Sequence, residues 1–184
     1  MKNKLLGILP LVIFIFTLLA GCRGTIPINE ISGDKTKPQT YSAAERIEAI
    51  TYYKGLYPIS AEIRQVSDDW NALFIKASKR QIPLKDAGEG AKNLGTRLTA
   101  LYSKLAMLKP TSRLQSLNDD VNTTLDIGVI TFSLYYEGLT NNQSYKVFEA
   151  DNKIKDMNRI ISQAAKEWNE GADYYSISPS DIRY

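Results

Sequence analysis

The segment LKDAGEGAKNLGTRLTALYSKLAML, residues 84–108, decides the fold. Its apolar residues recur at alternating intervals of three and four, the spacing of a helix that presents one continuous apolar stripe to its neighbours. The stripe consists of Leu84, Ala87, Ala91, Leu94, Leu98, Leu101, Leu105 and Leu108. No alternation of single apolar and polar residues, which would indicate a strand, competes with this pattern. The segment therefore predicts a long amphipathic helix that packs in a bundle.

Three other segments carry the same spacing. In the first, the stripe falls on Ile47, Ile50, Ile59, Ile63, Val66, Trp70, Leu73 and Ala77. In the third, it falls on Leu114, Leu117, Val121, Leu125, Gly128, Phe132, Tyr135 and Leu139. In the last, it falls on Val147, Ala150, Ile154, Met157, Ile161, Ala164, Trp168 and, with one slip, Tyr175. Four helices joined by short turns predict an all-α, up-down-up-down four-helix bundle over residues 41–175.

Sequence signals for helix ends fall between these segments. Two segments match a capping box: Ser42-Ala43-Ala44-Glu45 and Ser112-Arg113-Leu114-Gln115. In a capping box the serine hydroxyl accepts a hydrogen bond from a free backbone N–H, and the side chain three residues later accepts one from the backbone N–H of the serine. Pro83 suits the first turn of the second helix, and Pro110 stops that helix. We therefore expect one helix to begin at each capping box.

Pro58 is the exception, because it lies inside the first helical segment, three residues after Gly55. A proline within a helix removes one hydrogen bond of the backbone ladder and clashes with the preceding turn. The sequence therefore predicts that the first helix is kinked or broken by one turn near Pro58.

The N-terminus has the composition of a secretory signal. Lys2 and Lys4 precede an apolar stretch from Leu5 to Ala20, and Cys22, the only cysteine, follows it. Leu19-Ala20-Gly21-Cys22 resembles the lipobox of bacterial lipoproteins. The resemblance implies cleavage of residues 1–21, attachment of a diacylglyceryl group to Cys22, and further acylation such as palmitate. The alternative is an uncleaved transmembrane anchor in which Cys22 is incidental.

If the resemblance holds, the mature protein sits on the extracytoplasmic face of a membrane in the bacterial cell envelope. The sequence does not decide between the inner and the outer membrane. Cleavage would remove two lysines and no acidic residue, so the formal net charge would fall from +3 to +1. A nearly neutral protein has no general charge attraction for nucleic acid, and we expect no nucleic-acid partner.

Two flanking segments complete the predicted domain organisation. Residues 22–40 are rich in Thr, Ser, Gly, Pro and Asn and predict a flexible tether behind the lipidated cysteine. The alternative is a segment held against the bundle through Ile26, Ile28 and Ile31. Residues 176–184 are expected to form a short C-terminal tail.

The predicted topology sorts the aromatic side chains into two groups at opposite ends of the bundle. One contains Tyr52, Tyr53, Tyr57, Tyr102, Trp168, Tyr174 and Tyr175; the other contains Trp70, Phe74, Phe132, Tyr135, Tyr136, Tyr145 and Phe148. Because tyrosine and tryptophan combine an apolar ring with a polar tip, they suit binding surfaces. The candidate binding residues are Trp70, Phe132, Tyr135, Tyr136 and Tyr145. The alternative is that these rings only fill the ends of the bundle.

The sequence offers little catalytic chemistry. The chain has no histidine, which removes the usual general base and the commonest metal ligand, so we expect no catalytic residues, no cofactor and no metal. Asp68-Asp69 and Asp119-Asp120 are the candidate acid pairs for a cell-wall hydrolase. Adjacent residues on a helix point about 100° apart, so neither pair converges on one substrate.

Two smaller features remain. Gly128, in the stripe of the third helix, can leave a small cavity beside Thr124 and Thr131, whose hydroxyls can bond back to the preceding turn. The turn after the first helix carries a basic cluster that is either simply solvated or contacts an anionic wall polymer. The cluster consists of Lys76, Lys79, Arg80 and Lys85.

Three hypotheses about function follow. The leading one is a non-enzymatic binding or interaction module, anchored to the membrane by lipid, that takes an envelope protein or a small apolar ligand at an aromatic end. The second is a purely structural spacer or adaptor in the envelope. The third is a carboxylate-based hydrolase, which would need acids from two different helices to meet in a cleft.

Overall fold

The computed structural model describes residues 41–182. The leader, Cys22 and the expected tether therefore lie outside the described residues, and so do Arg183 and Tyr184. The described chain forms five α-helices: α1 (Ala43–Ser78), α2 (Leu84–Ala106), α3 (Gln115–Thr140), α4 (Ser144–Tyr174) and α5 (Pro179–Ile182), with a 3-10 helix at Ser112–Leu114. No strand occurs between residues 41 and 182. The predicted all-α fold is confirmed, and the packing is that of a helical bundle.

One apolar core runs between the helices, and the two cleanest sequence stripes both face it. In α2, every predicted stripe residue from Ala87 to Leu105 is buried, and in the third segment every one from Leu114 to Leu139 is buried. The helices α2, α3 and α4 pack most closely, and α1 lies mainly against α2. Side chains spaced at three and four residues share one helix face, so burying that face removes the whole stripe from water.

The first stripe is less accurate. Ile59, Val66 and Trp70 are buried as expected, but Ile47 is 64% exposed, so its assignment to the core is wrong. In the first turns of α1 the core face is formed instead by Ala49, Tyr52, Tyr53 and Leu56. The sequence pattern placed the stripe on Ile47 because isoleucine is a stronger apolar signal than Ala49, Tyr52 or Tyr53.

The helix α1 runs without interruption through Pro58. The predicted one-turn break is therefore absent, and only the kink stays a prediction. Pro58 lies on the exposed side of the helix. Because Pro58 is exposed, its ring displaces no side chain of the core.

The two predicted capping boxes differ in outcome. The Ser42 hydroxyl accepts a hydrogen bond of 3.1 Å from the Glu45 backbone N–H, so α1 begins where expected. Ser112 does not cap α3: it begins the 3-10 helix, and α3 follows at Gln115 with no side-chain cap. The second capping prediction is therefore wrong, because the tighter 3-10 turn lets Leu114 reach the core, where it is 1% exposed.

The C-terminal segment folds back onto the start of α1. Ile177 and Ile182 are both buried, and α5 contacts α1. Ser176, which has a positive φ of 50°, reverses the chain after α4. The described part of the expected tail, residues 176–182, thus packs against the bundle.

Candidate functional site

Three of the five candidate binding residues form a buried aromatic cluster. Trp70 of α1 lies between Phe132 and Tyr135 of α3, with ring centroids 5.6 and 4.3 Å apart. Phe74 extends the cluster, with its centroid 6.0 Å from that of Trp70. Trp70, Phe132 and Tyr135 are at most 3% exposed. These three rings hold α1 against α3 and leave almost no surface for a partner to touch.

One polar atom of this cluster is bonded to α4, whereas the buried Nε1 of Trp70 has no hydrogen-bond partner among residues 41–182. The Tyr135 hydroxyl donates a hydrogen bond of 2.6 Å to the carboxylate of Asp151. Burial, together with the negative charge of Asp151, raises the pKa of Tyr135 well above its ordinary value. Burial also raises the pKa of the Asp151 carboxyl, although the bond from Tyr135 opposes that shift. The pair is a fixed internal bond, in which a buried phenol donates to a carboxylate at the edge of the core.

The other two candidates lie nearer the surface. Tyr136 is half-buried, and the Lys92 ammonium lies 5.1 Å from its ring centroid. Tyr145 is 63% exposed in the first turn of α4, and Phe148, three residues later, is 57% exposed. Residues three apart on a helix are neighbours on its surface, so Tyr145 and Phe148 form one apolar surface pair. The structure therefore separates the five candidates into a buried group and a surface group.

The second aromatic group, at the beginning of α1, is held by hydrogen bonds as well as by ring contacts. The ring centroids of Tyr53 and Trp168 are 4.7 Å apart, and the Tyr53 hydroxyl donates a hydrogen bond of 2.9 Å to the backbone carbonyl of Trp168. The buried Tyr175 hydroxyl lies 2.9 Å from both the Thr111 hydroxyl and the Glu45 carboxylate. Of the other predicted members, Tyr57 is 44% exposed. This group joins α1, α4 and the α2–α3 connection.

Arg46 completes that end, and sequence reasoning missed its role. Its guanidinium donates to the carbonyls of Tyr175 and Ser176, each at 3.0 Å, and lies 3.4 Å from the Asp181 carboxylate. Backbone and side-chain bonds from Ser178 hold the pKa of Asp181 below its ordinary value. One feature of the sequence could have indicated this role. Arg46 lies in the first turn of α1, where the helix dipole favours negative charge, so a positive side chain there needs acceptors from elsewhere.

A small cavity lies between the four long helices. It has a volume of about 20 Å³, room for roughly one water molecule. Its walls are Ile63, Val66, Ser67, Leu98, Thr124, Phe132, Met157 and Ile161. A cavity does lie beside Thr124, but neither Gly128 nor Thr131 lines it, and Leu98 fills the space beside Gly128. The Thr124 hydroxyl donates back to the Asp120 carbonyl at 2.9 Å, as predicted, whereas the buried Thr131 hydroxyl has no partner among the described residues.

The candidate acids are held in different ways. Asp69 of α1 accepts bonds from Arg97 and Gln65, which lower the pKa of its carboxyl; Arg97 also bonds to Glu62. These contacts join α1 to α2 and give Asp69 a structural role. Its neighbour Asp68 is exposed and shares none of them.

Asp120 lies in a position that disfavours its charged form, although the charge of Arg159 opposes this effect. Burial raises the pKa of its carboxyl, and the charges of Glu167 and Asp119 add to the shift. One carboxylate oxygen of Asp120 and one of Glu167 are buried without a hydrogen-bond partner among the described residues. Two acids of different helices, α3 and α4, thus influence each other, but neither lines the cavity described above.

Other site types leave no trace between residues 41 and 182. No group of three or more acidic, histidine or cysteine side chains is arranged to hold a metal ion there. Within the same range, none of the helices combines the length and the apolar composition needed to cross a bilayer.

The lipidation residue Cys22 lies outside the described residues, so its acylation stays a prediction. Comparison with known proteins gives no match to a family model, to a curated protein or to a solved structure.

Proposed function

We propose that this protein is a bacterial lipoprotein, anchored by lipid at Cys22 on the extracytoplasmic face of a membrane, whose helical body is a non-enzymatic binding module. The proposal of the anchor is supported by the order of the leader: lysines, an apolar stretch, small residues and a single cysteine. One acyl chain holds a protein only marginally at a membrane and two hold it firmly, so the proposal includes more than one chain on Cys22.

Replacement of the sulfur tests the anchor. In a bacterial host that processes lipoproteins, Cys22→Ser should leave the protein at its unprocessed size and without lipid label, because oxygen does not replace the thiol as the acylated group. Metabolic labelling with a palmitate analogue and membrane fractionation measure both effects. A Ser32→Ala variant is the matched control. Normal processing and lipid labelling of Cys22→Ser would remove this part of the proposal.

For the body, we propose that the four long helices alternate in direction and that α1 is kinked at Pro58. Alternation is supported by contacts at both ends of the first pair: Gly90, early in α2, lies against Leu73, late in α1, and Gly55 lies against Leu108, which follows α2. The pair Leu73→Cys/Gly90→Cys, in a Cys22→Ser background, should form a disulfide on mild oxidation. The pair Leu73→Cys/Leu108→Cys should not form a disulfide, because the proposal places Leu73 near the end of α1 and Leu108 near its beginning, beside Gly55. A disulfide in this second pair and none in the first would refute the alternation.

The proposed binding surface consists of Tyr145 and Phe148; Tyr136 lies against Lys92 of α2 and is not part of it. One observation carries this choice: large aromatic rings are exposed by 63% and 57% on one helix face, in a molecule that buries most of its other rings. Aromatic side chains on a protein surface are enriched at interfaces, where each removes a large apolar area from water. The buried Trp70, Phe132 and Tyr135 then belong to the core of the body and not to the binding surface.

Site-specific crosslinking tests the surface. A photoreactive amino acid at position 145 or 148 should crosslink one defined envelope protein in living cells, whereas the same group at Ile47, which is 64% exposed, should not. Tyr145→Ala together with Phe148→Ala should abolish capture of that protein by a crosslinker placed at position 141 and leave helicity unchanged. Equal crosslinking from positions 47 and 145, or none from either, would favour the alternative of a structural spacer.

A further inference from the structure

The turn between α1 and α2 has an unusual charge. From residue 74 to residue 88 the sequence contains four basic residues and one acidic residue, Asp86. We call Lys76, Lys79, Arg80 and Lys85 the basic turn. All four side chains are exposed. None of them forms an ion pair or a side-chain hydrogen bond with another residue in the described range 41–182.

Several cations elsewhere in the bundle have partners. Arg46 and Arg97 each bind two or more oxygen atoms, Lys146 pairs with Glu137, and Lys92 lies over the ring of Tyr136. Four like charges within ten residues repel each other, and an external anion is the partner that would relieve this repulsion. The basic turn is therefore a concentrated positive region on a chain of low net charge.

The basic turn also has a concave surface. A depression of about 370 Å³ is lined by Ala77, Arg80, Gln81, Ile82, Pro83 and Leu84. Of the basic turn, only Arg80 lines this depression, beside mostly apolar side chains. Four separate cations within ten residues suit an extended anion rather than a single small ion.

Arg80 holds a backbone conformation that favours glycine. Its φ is 58°, and the following N–H, of Gln81, donates back to the Lys76 carbonyl at 2.9 Å, which closes the end of α1. Glycine is the usual residue at this position of a helix end, because a Cβ there is strained. The chain thus has an arginine where glycine would be less strained, and Asn142 and Ser176 are the other non-glycine residues of the described range with a positive φ.

We propose that the basic turn binds a linear polymer of phosphate groups, with Arg80 at a phosphate and the lysines beside it. A guanidinium can donate two parallel bonds to a phosphate, while lysine ammonium groups act as mobile point charges. The choice of a polymer over a bilayer rests on the proposed anchor at Cys22. The basic turn follows α1, whose 36 residues span about 54 Å, so a protein tethered through the beginning of that helix presents this turn away from its membrane.

The test uses the full chain in detergent solution and linear inorganic polyphosphate, immobilised, as the probe. Wild-type protein should bind, and Lys79→Ala/Lys85→Ala should weaken binding about tenfold and lower the salt dependence of the affinity. Lys104→Ala/Lys109→Ala is the matched control, because it removes the same charge from two exposed lysines near the opposite end of α2. The control should change the affinity less than about twofold.

Arg80→Gly separates binding from folding. This variant should raise the melting temperature, because glycine accepts the positive φ, and should still weaken polyphosphate binding. Equal losses in the lysine pair and its control would overturn the proposal, as would binding to phosphatidylglycerol bicelles with none to polyphosphate. The assay does not depend on acylation, so its failure leaves the anchor proposal standing, and failure of the Cys22→Ser test would not abolish polyphosphate binding.

Discussion

The two aromatic groups of this bundle are stabilised by different physics. The Trp70 group is a buried set of tilted and edge-to-face rings, with one hydrogen bond at its edge, from Tyr135 to Asp151. The Tyr53 group is a network in which hydroxyls and Arg46 connect α1, α4 and the C-terminal segment. The first group therefore depends on packing, and the second on directional bonds between segments distant in sequence. This difference predicts which substitutions each end tolerates.

The largest effect should come from removing the central ring of the packed group. Trp70→Ala should lower the free energy of unfolding by about 3–5 kcal/mol, because its side chain is fully buried and the cavity left behind cannot collapse. Urea denaturation followed by circular dichroism measures it. Trp168→Ala at the other end is the control and should cause a smaller loss, since Trp168 is only partly buried. A larger loss at Trp168 would reverse the comparison.

A medium effect is expected at Arg46, which joins the beginning of α1 to the residues that follow α4. Arg46→Met should cost about 1–2 kcal/mol, because two backbone carbonyls and the Asp181 carboxylate lose a charged donor. Hydrogen exchange should show faster opening of α5 and the first turns of α1. The control Arg97→Met breaks an ion pair on the outside of α1 and α2 and should leave exchange at α5 unchanged. If Arg46→Met leaves α5 equally protected, the hydrogen-bond account of this end is wrong.

A smaller effect, with a clear pH dependence, is expected at Tyr53. Tyr53→Phe should cost about 1 kcal/mol at neutral pH, because the Trp168 carbonyl loses its donor. Burial raises the pKa of Tyr53 far above its unfolded value of 10.0, so its stabilising contribution is complete below pH 10. As pH rises above 10 the unfolded state ionises first, and stability falls by about 1.4 kcal/mol per pH unit for each such tyrosine.

Denaturation series at pH 7 and at pH 10–11 test this prediction. Tyr53→Phe should make the alkaline loss of stability less steep than in the wild type. Tyr57→Phe, at a side chain 44% exposed, is the control at pH 7 and should change stability by less than about 0.5 kcal/mol. An unchanged alkaline slope in Tyr53→Phe would show that this phenol is not buried in solution.

The smallest effect should be found at two buried threonines of α3, Thr124 and Thr131. Thr131→Val should be neutral or stabilising by up to about 1 kcal/mol, since its buried hydroxyl has no partner among the described residues. Thr124→Val should instead be destabilising by up to about 1 kcal/mol, because its hydroxyl bonds to the Asp120 carbonyl. Thermal unfolding measures both. Equal shifts in the two variants would contradict the assigned bonding.

The success of sequence reasoning followed the strength of the apolar pattern. Leucine-rich stripes placed the cores of α2 and α3 correctly, whereas Ile47 misled because the true core face there is alanine and tyrosine. Within the candidate site, the contact of Trp70 with Phe132 and Tyr135 followed from grouping aromatics by bundle end. The burial of these three rings, and the exposure of Tyr145, did not follow, because both depend on which neighbour covers each ring.

The sequence by itself determined the helical class, the core faces of α2 and α3, and the absence of histidine chemistry, because composition and local periodicity are properties of the chain. Only the tertiary structure decided that Tyr135 meets Asp151 and that Arg46 holds the residues after α4. It also decided that Arg80 lies in the left-handed region beside a depression. Those features depend on the distance and orientation of side chains brought together by packing, which no local pattern in the chain encodes.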